Sequence, residues 1–298
     1  MKLAHSELIL NPDGSVYHLN LNPQDIAPVI ILVGDPERVP KVSKYFDHIE
    51  VKKSKREFTT HAGCIGVHKF CVISTGIGTD NIDIVLNELD ALVNIDLERR
   101  ELNPKHQKLN FIRIGTSGSV QENIPVDSAL FSDIGLGLDG LLQFYRSETV
   151  RELAMEEAFI KQTTWPSHFP LPYAVKASAT LHGILNSEKL IHGITATLPG
   201  FYAPQGRSLR LEPHSDGSVL SLSNFEFEGL KITNLEMETA GIYGLSALLG
   251  HAAASLNCIL ANRVNRTFST HPEKAVDQLI QYTLEKLYNN YSLLVTTS

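Results

Sequence analysis

The segment NFIRIGTSG (residues 110–118) is a short apolar run that ends in glycine and hydroxyl-bearing residues. Short runs rich in Ile and bounded by Gly indicate buried β-strands. Arg113 stands in the middle of this run. Because desolvating an unpaired charge costs several kcal/mol, a buried arginine needs a partner. The partner of Arg113 is either an internal carboxylate or an anionic ligand.

Four further segments share this pattern and are interpreted as buried strands: PVIILVGDP (28–36), KFCVISTGIG (69–78), LKITNLEMETAG (230–241) and LNCILANRVNR (256–266). The intervals between these segments leave room for helices.

Helical periodicity lies between these runs. NIDIVLNELDALVNI (81–95) places its apolar residues on one stripe, and Thr79 or Asp80 is expected to cap this helix. Residues 239–256 form a second helical segment, rich in small residues, and Pro272 begins a final amphipathic helix. Strands alternating with helices predict an α/β fold with a central mixed β-sheet flanked by helices.

The chain contains no linker rich in Pro, Ser or Gly, so we expect a single domain over residues 1–298. The charged segment 96–108 is expected to be solvated. Residues 140–175 are expected to form irregular surface structure or a subunit contact.

The composition narrows the classes of function. Of the 298 residues, 43% are hydrophobic and 20% are charged, as in an ordinary soluble globular protein. The net charge of −7 argues against nucleic acid or an anionic membrane as a partner. No apolar run approaches the length that spans a bilayer, and the N-terminus lacks a secretory pattern. Three cysteines without a CxxC pair are typical of a reducing compartment, so we expect a cytoplasmic protein.

Arginines and glycine turns occur together near the ends of predicted strands. Arg38 follows the turn at Gly34, Arg113 precedes the turn that contains Thr116, and Arg56 lies in KREFTT. Ligands of α/β sheets bind outside the carboxyl ends of the strands. Glycine N–H groups and planar guanidinium groups both bind anionic oxygens. Singly, Arg38 and Arg56 are typical surface charges, but together with Arg113 they predict a pocket for a dianion such as phosphate.

The motif NLEMETAG (234–241) places Glu236 and Glu238 at a strand-to-helix junction. One interpretation is that both are acids favoured by the dipole of the first helical turn. The other is that one carboxylate accepts hydrogen bonds from two vicinal hydroxyl groups, as on a ribose.

The motif FYAPQGR (201–207) carries an aromatic ring, a carboxamide and a guanidinium in one loop. Gln205 both donates and accepts hydrogen bonds, so it matches the N–H and C=O edge of a base, and Phe201 can stack on the ring.

Several familiar sites are absent from the sequence. It contains neither a P-loop nor a GxSxG motif, and GIGTDN (76–81) lacks the third glycine of a dinucleotide fingerprint. His61, Cys64 and His68 have no second cluster of ligands, so no metal site is predicted.

Seven stretches together carry a resemblance to a known family: VYHLNL, VGDPERV, KREFTTHAG, STGIGTDNIDIVLNEL, FIRIGTSG, FYAPQGR and NLEMETA. Their order and sequences are similar to those of the hexameric-type purine-nucleoside and uridine phosphorylase family. The resemblance extends from about residue 16 to residue 285. It implies the nucleoside phosphorylase fold and the phosphorolysis of uridine to uracil and ribose 1-phosphate.

The resemblance also implies which residues bind each substrate. Phosphate is assigned to Gly34, Arg38, Arg56, Arg113 and Thr116. Ribose is assigned to His18, Thr116, Met237 and Glu238. The base is assigned to Ser117, Gly118, Phe201, Gln205 and Arg207. The implied catalytic residues are Arg113, Arg207 and Glu238.

The resemblance further implies a homo-oligomer, a dimer or a hexamer, in which a neighbouring subunit donates Arg56 and His18 to each site. Phosphate is a co-substrate, and neither a cofactor nor a metal is implied. On this interpretation phosphate is the counter-charge of Arg113.

Three alternatives remain beside pyrimidine phosphorolysis. They are a purine nucleoside phosphorylase, a hydrolytic nucleosidase and a non-catalytic nucleoside-binding protein on the same fold. A hydrolase does not need three arginines for phosphate. Purine enzymes of the family carry a general-acid Asp in the late strand, near the position of Arg263 in LANRVNR.

Overall fold

The computed structural model describes residues 2–214 and 222–295. The other residues of the predicted domain, 1, 215–221 and 296–298, lie outside the described ranges. The β-strands are β1 Val29–Val33, β2 His48–Lys55, β3 Phe58–Ile65, β4 His68–Ser74, β5 Ile95–Asp96, β6 Glu101–Leu102, β7 Asn110–Ser119, β8 Ala129–Gly137, β9 Tyr173–Lys176, β10 Ile191–Thr197, β11 Glu226–Phe227, β12 Leu230–Glu236, β13 Ala252–Asn262 and β14 Thr267–Phe268. The α-helices are α1 Arg38–Ser43, α2 Thr79–Asn94, α3 Leu153–Thr163, α4 Ala179–Leu185, α5 Thr239–Leu248, α6 Pro272–Asn289 and α7 Tyr291–Leu294.

The main sheet is mixed and has twelve strands in the described ranges. Strand β1 pairs in parallel with β4 and β7, and β7 pairs in parallel with β13. Strand β13 pairs antiparallel with β8, which is followed by the parallel neighbours β10 and β12. Because β12 also pairs with β7, the strands β7, β13, β8, β10 and β12 close into a ring. The late strands are thereby brought back to the end of β7.

The position of strand β1 in the sheet explains why its sequence is continuously apolar. Val29, Ile31 and Val33 pack in one cluster with residues of α1, α4 and α6, whereas Ile30 and Leu32 pack in another with residues of α2 and α5. Both faces of the strand are therefore buried, as expected for a sheet covered by helices on both sides.

The predicted fold class is confirmed, and all five predicted strands are present, although β13 begins four residues earlier than predicted, at Ala252. The last helix begins at Pro272, as predicted. The predicted cap of α2 is wrong, because Thr79 is already helical and Gly78 is the N-cap. The turn before this helix places Gly76 and Gly78 at positive φ, and the chain therefore enters the helix one residue earlier than expected.

Two regional predictions are wrong, and a third is confirmed for all but one residue. Residues 239–256 are not one helix, because Gly250 at φ +78° separates α5 from β13. Residues 140–175 include α3, whose Met155 and Phe159 are buried in the core. Most of residues 96–108 are exposed, as expected, although this segment carries much of the hairpin β5–β6. The exception is the buried Arg100, whose guanidinium donates to backbone carbonyl groups of the N-terminal segment.

Within the described ranges, no helix combines the length and the apolar character needed to cross a membrane. Each of the three cysteines, Cys64, Cys71 and Cys258, is buried and unpaired.

Candidate active site

A cavity of about 660 Å³ lies where β1, β4, β7 and β12 end. Its wall includes most of the residues assigned from the sequence: Gly34, Arg38, Arg113, Thr116, Ser117, Gly118, Phe201, Gln205, Arg207, Met237 and Glu238. The pairing of β12 with β7 accounts for this convergence, since it sets Leu235 beside Gly118. Residues far apart in the chain thus form one concave surface.

Arg113 is buried in this wall and is paired by two carboxylates. Its Nη2 lies 2.6 Å from Oε2 of Glu238 and 3.0 Å from Oε2 of Glu236, and its Nη1 donates to Oδ1 of Asn257 at 2.8 Å. The expectation that phosphate is the counter-charge of Arg113 is therefore wrong, because internal carboxylates already fill that role. Burial opposes the charged form, but the two glutamates outweigh it and raise the pKa of Arg113.

Gly115 makes the position of Arg113 possible. The guanidinium folds back along β7, and a Cβ at residue 115 would lie 1.8 Å from Nη1 of Arg113. A larger residue at this position would displace the guanidinium from its carboxylates. The absence of a side chain at Gly115 therefore leaves the space that the Arg113 guanidinium occupies within β7.

The two carboxylates of NLEMETAG have different roles. Glu236 accepts the backbone N–H groups of Glu238 and Thr239 and the hydroxyl of Thr197, so it stabilises the first turn of α5. Glu238 instead accepts the backbone N–H of Gly78 at 2.9 Å and lines the cavity. Burial raises the pKa of Glu238, Glu236 adds to this effect and Arg113 opposes it. Glu236 fits the helix-dipole interpretation, whereas the two carboxylate oxygens of Glu238 contact Gly78 and Arg113 at the cavity wall.

Arg38 differs from Arg113 in its partners. It begins α1 and donates from Nη1 to the carbonyl oxygen of Ile114 at 3.3 Å. Within the described part of the chain it forms no ion pair. Burial, with the charge of Arg113 beside it, lowers the pKa of Arg38. Its positive charge is therefore available to an anion in the cavity, close to the turn at Gly34 and to Thr116.

A second cationic region is formed by Arg207 of the loop 201–207 and by Arg263, which contacts this loop. Arg207 donates from Nη1 to Oε1 of Gln205 at 2.6 Å and stacks 3.7 Å from the centre of the Phe201 ring. Arg263 donates to the backbone carbonyl of Gln205 at 3.1 Å. Burial and the neighbouring charge of Arg263 lower the pKa of Arg207 to about 10. Neither arginine has an acidic partner among the described residues.

Arg263 and Asn257 contact residues of the cavity wall, and no role in this chain was predicted for either from the sequence. Arg263 packs beside Gly118 in the cavity wall, and Asn257 orients Arg113. Both belong to β13 or to the turn that follows it. The available signal for Arg263 was LANRVNR (260–266), a polar end to an otherwise apolar strand, but a strand periodicity does not show which neighbour a polar residue faces.

His18 and Arg56 do not line the cavity of their own chain. Glu88 of α2 accepts the backbone N–H groups of His18 and Leu19 and lies 2.6 Å from Nδ1 of the His18 ring. Arg56 is exposed at the turn between β2 and β3, with φ +56°.

The segments that carry these two residues are in contact. The ammonium group of Lys55 lies 4.5 Å from the centre of the Tyr17 ring, and it also donates to the backbone carbonyl of Tyr17. His18 and Arg56 therefore belong to one surface region outside the cavity.

Comparison with known proteins shows the family to which this chain is similar. A model of the phosphorylase superfamily matches residues 28–294. The uridine phosphorylase of Thermococcus kodakarensis is 30% identical over 279 residues, which cover 92% of this chain and 87% of that protein. The uridine phosphorylase of Escherichia coli is 29% identical over 260 residues, which cover 84% of this chain and 87% of that protein.

A solved structure is similar over the same extent. The nucleoside phosphorylase of Trypanosoma brucei, reported with uridine phosphorylase activity, has a TM-score of 0.85 to this chain at 28% identity. The match covers 95% of this chain and 99% of that one. The family match over residues 28–294 includes every strand that borders the cavity.

Proposed function

The chain belongs to the phosphorylase superfamily, as predicted from the seven motifs, and from this premise we propose that it catalyses the phosphorolysis of a pyrimidine nucleoside. Uridine and inorganic phosphate are converted to uracil and ribose 1-phosphate, which makes the chain a pentosyltransferase of nucleoside salvage. The uridine phosphorylases among its relatives support this reaction. We assign it to the cytoplasm, in keeping with its three unpaired cysteines.

One observation carries the proposal: two arginines without an acidic partner, Arg38 and Arg207, line the same cavity as the buried pair of Arg113 and Glu238. Arg113 packs against Gly115 and Arg263 packs against Gly118. Gly118 follows Gly115 by three positions along the strand, a distance of about 10 Å. The cavity therefore offers positive charge at two separate places, one for phosphate and one for the base.

The phosphate end suits a nucleophilic dianion. Arg38 supplies an unpaired guanidinium, and the turn at Gly34 and Thr116 supply backbone and hydroxyl groups. A phosphate oxygen attacks C1′ of the ribose, the bond from C1′ to N1 of uracil breaks, and uracil leaves with the electron pair. No covalent enzyme intermediate, metal or cofactor is required, since positioning of the two substrates supplies a large part of the rate.

The base end suits a leaving group that gains negative charge. Arg207 remains protonated at neutral pH, because its pKa of about 10 is still well above 7. A donor placed at developing charge contributes roughly 3–4 kcal/mol. Gln205 engages Arg207 through Oε1 only, so its Nε2 remains a donor for a uracil carbonyl. Arg263 places a cation, not an acid, where a purine mechanism of this family requires a proton donor.

The ribose lies between these ends in the proposed arrangement, held by Glu238 and Met237. Two further groups come from a neighbouring subunit. His18 and Arg56 lie outside their own cavity, and their segments are held together by the contact of Lys55 with Tyr17. Ile77 and Phe268 form an exposed apolar rim to the cavity, 67% and 65% exposed, which a second copy of the chain would cover. We therefore propose a homo-oligomer, a dimer or a hexamer, with shared sites.

The proposal is tested by measuring release of uracil from uridine with and without inorganic phosphate. We expect release only with phosphate, and poor turnover of inosine and adenosine. Equal release of uracil in phosphate-free buffer would identify a hydrolase, and efficient inosine phosphorolysis would identify a purine enzyme. Binding of uridine without turnover under either condition would identify a nucleoside-binding protein.

A further inference from the structure

A cluster of Asp133, His182 and His192 lies outside the proposed active site. Asp133 belongs to β8, His182 to α4 and His192 to β10. His192 is the second residue of β10, and Thr197, which contacts Glu236 of the cavity wall, is the last. Thr197 follows His192 by five positions, which corresponds to about 16 Å of strand. The cluster is therefore at the opposite end of the strand from the cavity.

The side chains of the cluster converge on one point. Oδ1 of Asp133 lies 2.9 Å from Nδ1 of His192 and 3.3 Å from Nε2 of His182, and the three ligand atoms lie within 4.8 Å of one another. A tetrahedral Zn²⁺, with bonds of roughly 2.0–2.2 Å, holds its ligand atoms roughly 3.4 Å apart. Small rotations of the side chains are enough to reach this geometry.

The hydrogen bonds of His192, with the Asn186 amide as placed, fit a cation in the cluster. Its Nε2 lies 2.9 Å from Oδ1 of Asn186, an acceptor, so Nε2 carries a proton. In a neutral ring Nδ1 then has a lone pair, and this lone pair faces the carboxylate of Asp133 at 2.9 Å. Two acceptors at that distance repel unless a proton or a metal ion lies between them. Metal-binding histidines commonly donate their other N–H to an oxygen, which is the role Asn186 has here.

The surroundings of the cluster suit a bound ion. His182 forms no hydrogen bond through its ring within the described ranges, and Phe131 packs against both imidazole rings at 5.1 and 5.5 Å. The side chains of His182 and His192 are 39% and 28% exposed, which leaves a path for an ion and a position for a water ligand.

A second cluster, Asp90, His106 and His251, provides a contrast within the same chain. Nδ1 of His251 accepts the backbone N–H of Leu109 at 3.1 Å, and Nε2 lies 3.1 Å from Asp90. Both ring nitrogens of His251 are therefore satisfied without a metal, and its side chain is fully buried.

We propose that Asp133, His182 and His192 form a binding site for a divalent transition-metal ion of the Zn²⁺ type. Two imidazole nitrogens and one carboxylate favour such an ion over Mg²⁺ or Ca²⁺, which prefer oxygen ligands. The ion links α4 to β8 and β10, and a water completes its coordination. Its role is structural, because the site is remote from the cavity.

The test is isothermal titration of untagged protein with ZnCl₂ at pH 7.5, in a buffer that does not bind metal. We expect one ion per chain, and binding weakened by at least about tenfold in His182→Ala and in His192→Ala. His106→Ala, in the contrasting cluster, is the matched control and should bind Zn²⁺ like the wild type. Zn²⁺ should also raise the Tm of the wild type and of the control but not of the two cluster variants.

Turnover of uridine verifies that the variants are folded, and we expect it to be unchanged because none of these residues lines the cavity. A wild type that binds no Zn²⁺ would show that a proton alone fills the cluster, and the proposal would fail. Binding that persists in both cluster variants would place the ion elsewhere and would equally overturn it.

Discussion

The guanidinium of Arg113 lies 2.6 Å from the carboxylate of Glu238, and both side chains are buried in the wall of one cavity. This pair joins the group assigned to phosphate with the group assigned to ribose. Neither side chain can move without changing the environment of the other. The proposed phosphate and ribose sites are therefore coupled through a fixed ion pair.

Arg113→Ala is expected to lower both activity and stability, because it leaves Glu236 and Glu238 without their buried counter-charge. Breaking a buried ion pair on one side costs about 3–5 kcal/mol. Arg38→Ala is the matched control. Arg38 forms no ion pair among the described residues, so this variant should raise the KM for phosphate while its free energy of unfolding stays near that of the wild type.

Urea unfolding at a fixed protein concentration and steady-state kinetics measure these two effects. If Arg113→Ala unfolds at the same urea concentration as the wild type, the carboxylates do not depend on this arginine. If Arg38→Ala leaves the KM for phosphate unchanged, Arg38 does not bind phosphate.

Glu238→Gln is expected to change how stability depends on pH. Burial raises the pKa of Glu238 above its ordinary value of 4.5, so the folded protein holds this proton more tightly than the unfolded chain. The contribution of Glu238 to the free energy of unfolding is then fully present below pH 4.5 and is lost as the pH rises through the raised pKa. Relative to the variant, the wild type should gain stability as the pH falls from 7 towards 4.5. The opposite trend would show that Arg113 lowers the pKa of Glu238.

Arg207→Ala is expected to reduce kcat by about 10²–10³-fold and to leave the KM for phosphate unchanged, since Arg207 faces the leaving base. The ratio of wild-type to variant kcat should fall as the pH rises towards 10, because Arg207 loses its proton near that pH. The ratio removes the effect of substrate ionisation, which is common to both proteins. Arg210→Ala, an exposed arginine of the same loop, is the control and should behave like the wild type. A ratio that does not change with pH would argue against a charge role for Arg207.

Mixed oligomers test whether sites are shared. Arg56→Ala and Glu238→Gln are each expected to be nearly inactive alone. In a heterodimer of the two variants, one site contains Glu238 from its own chain and Arg56 from the partner, and the other site lacks both. Random pairing in a two-fold dimer should therefore restore about a quarter of the wild-type activity. A tag on one variant verifies mixing. Mixed oligomers without recovered activity would mean that each site is complete within one chain.

The sequence predicted those strands that are marked by a local pattern which recurs along the chain. Continuous apolar runs that end in glycine located β1, β4, β7, β12 and β13, since strands buried on both faces have no polar alternation. Strands β8 and β10 were not predicted. Their serine, threonine and histidine residues, including Ser132 and Thr195, pair with one another inside the structure, and this pairing is invisible along the chain.

The types of residue in the candidate site could be predicted from the sequence, but the contacts between these residues could not. The sequence correctly marked Arg113 as a residue that needs a counter-charge, whereas the ligand role that it gave to Glu238 stays a prediction. It assigned phosphate to the first and ribose to the second, and it did not show that the two pair. That relationship depends on β12 folding back onto β7, a contact between segments more than a hundred residues apart.

The central claim, that phosphate is the nucleophile, is tested most directly by ³¹P NMR of the products formed from uridine and inorganic phosphate. The account predicts a new phosphomonoester resonance, that of ribose 1-phosphate, which grows in equal amount with free uracil. It also predicts that Arg38→Ala slows both products together. Release of uracil with free ribose, and with inorganic phosphate unchanged, would contradict it.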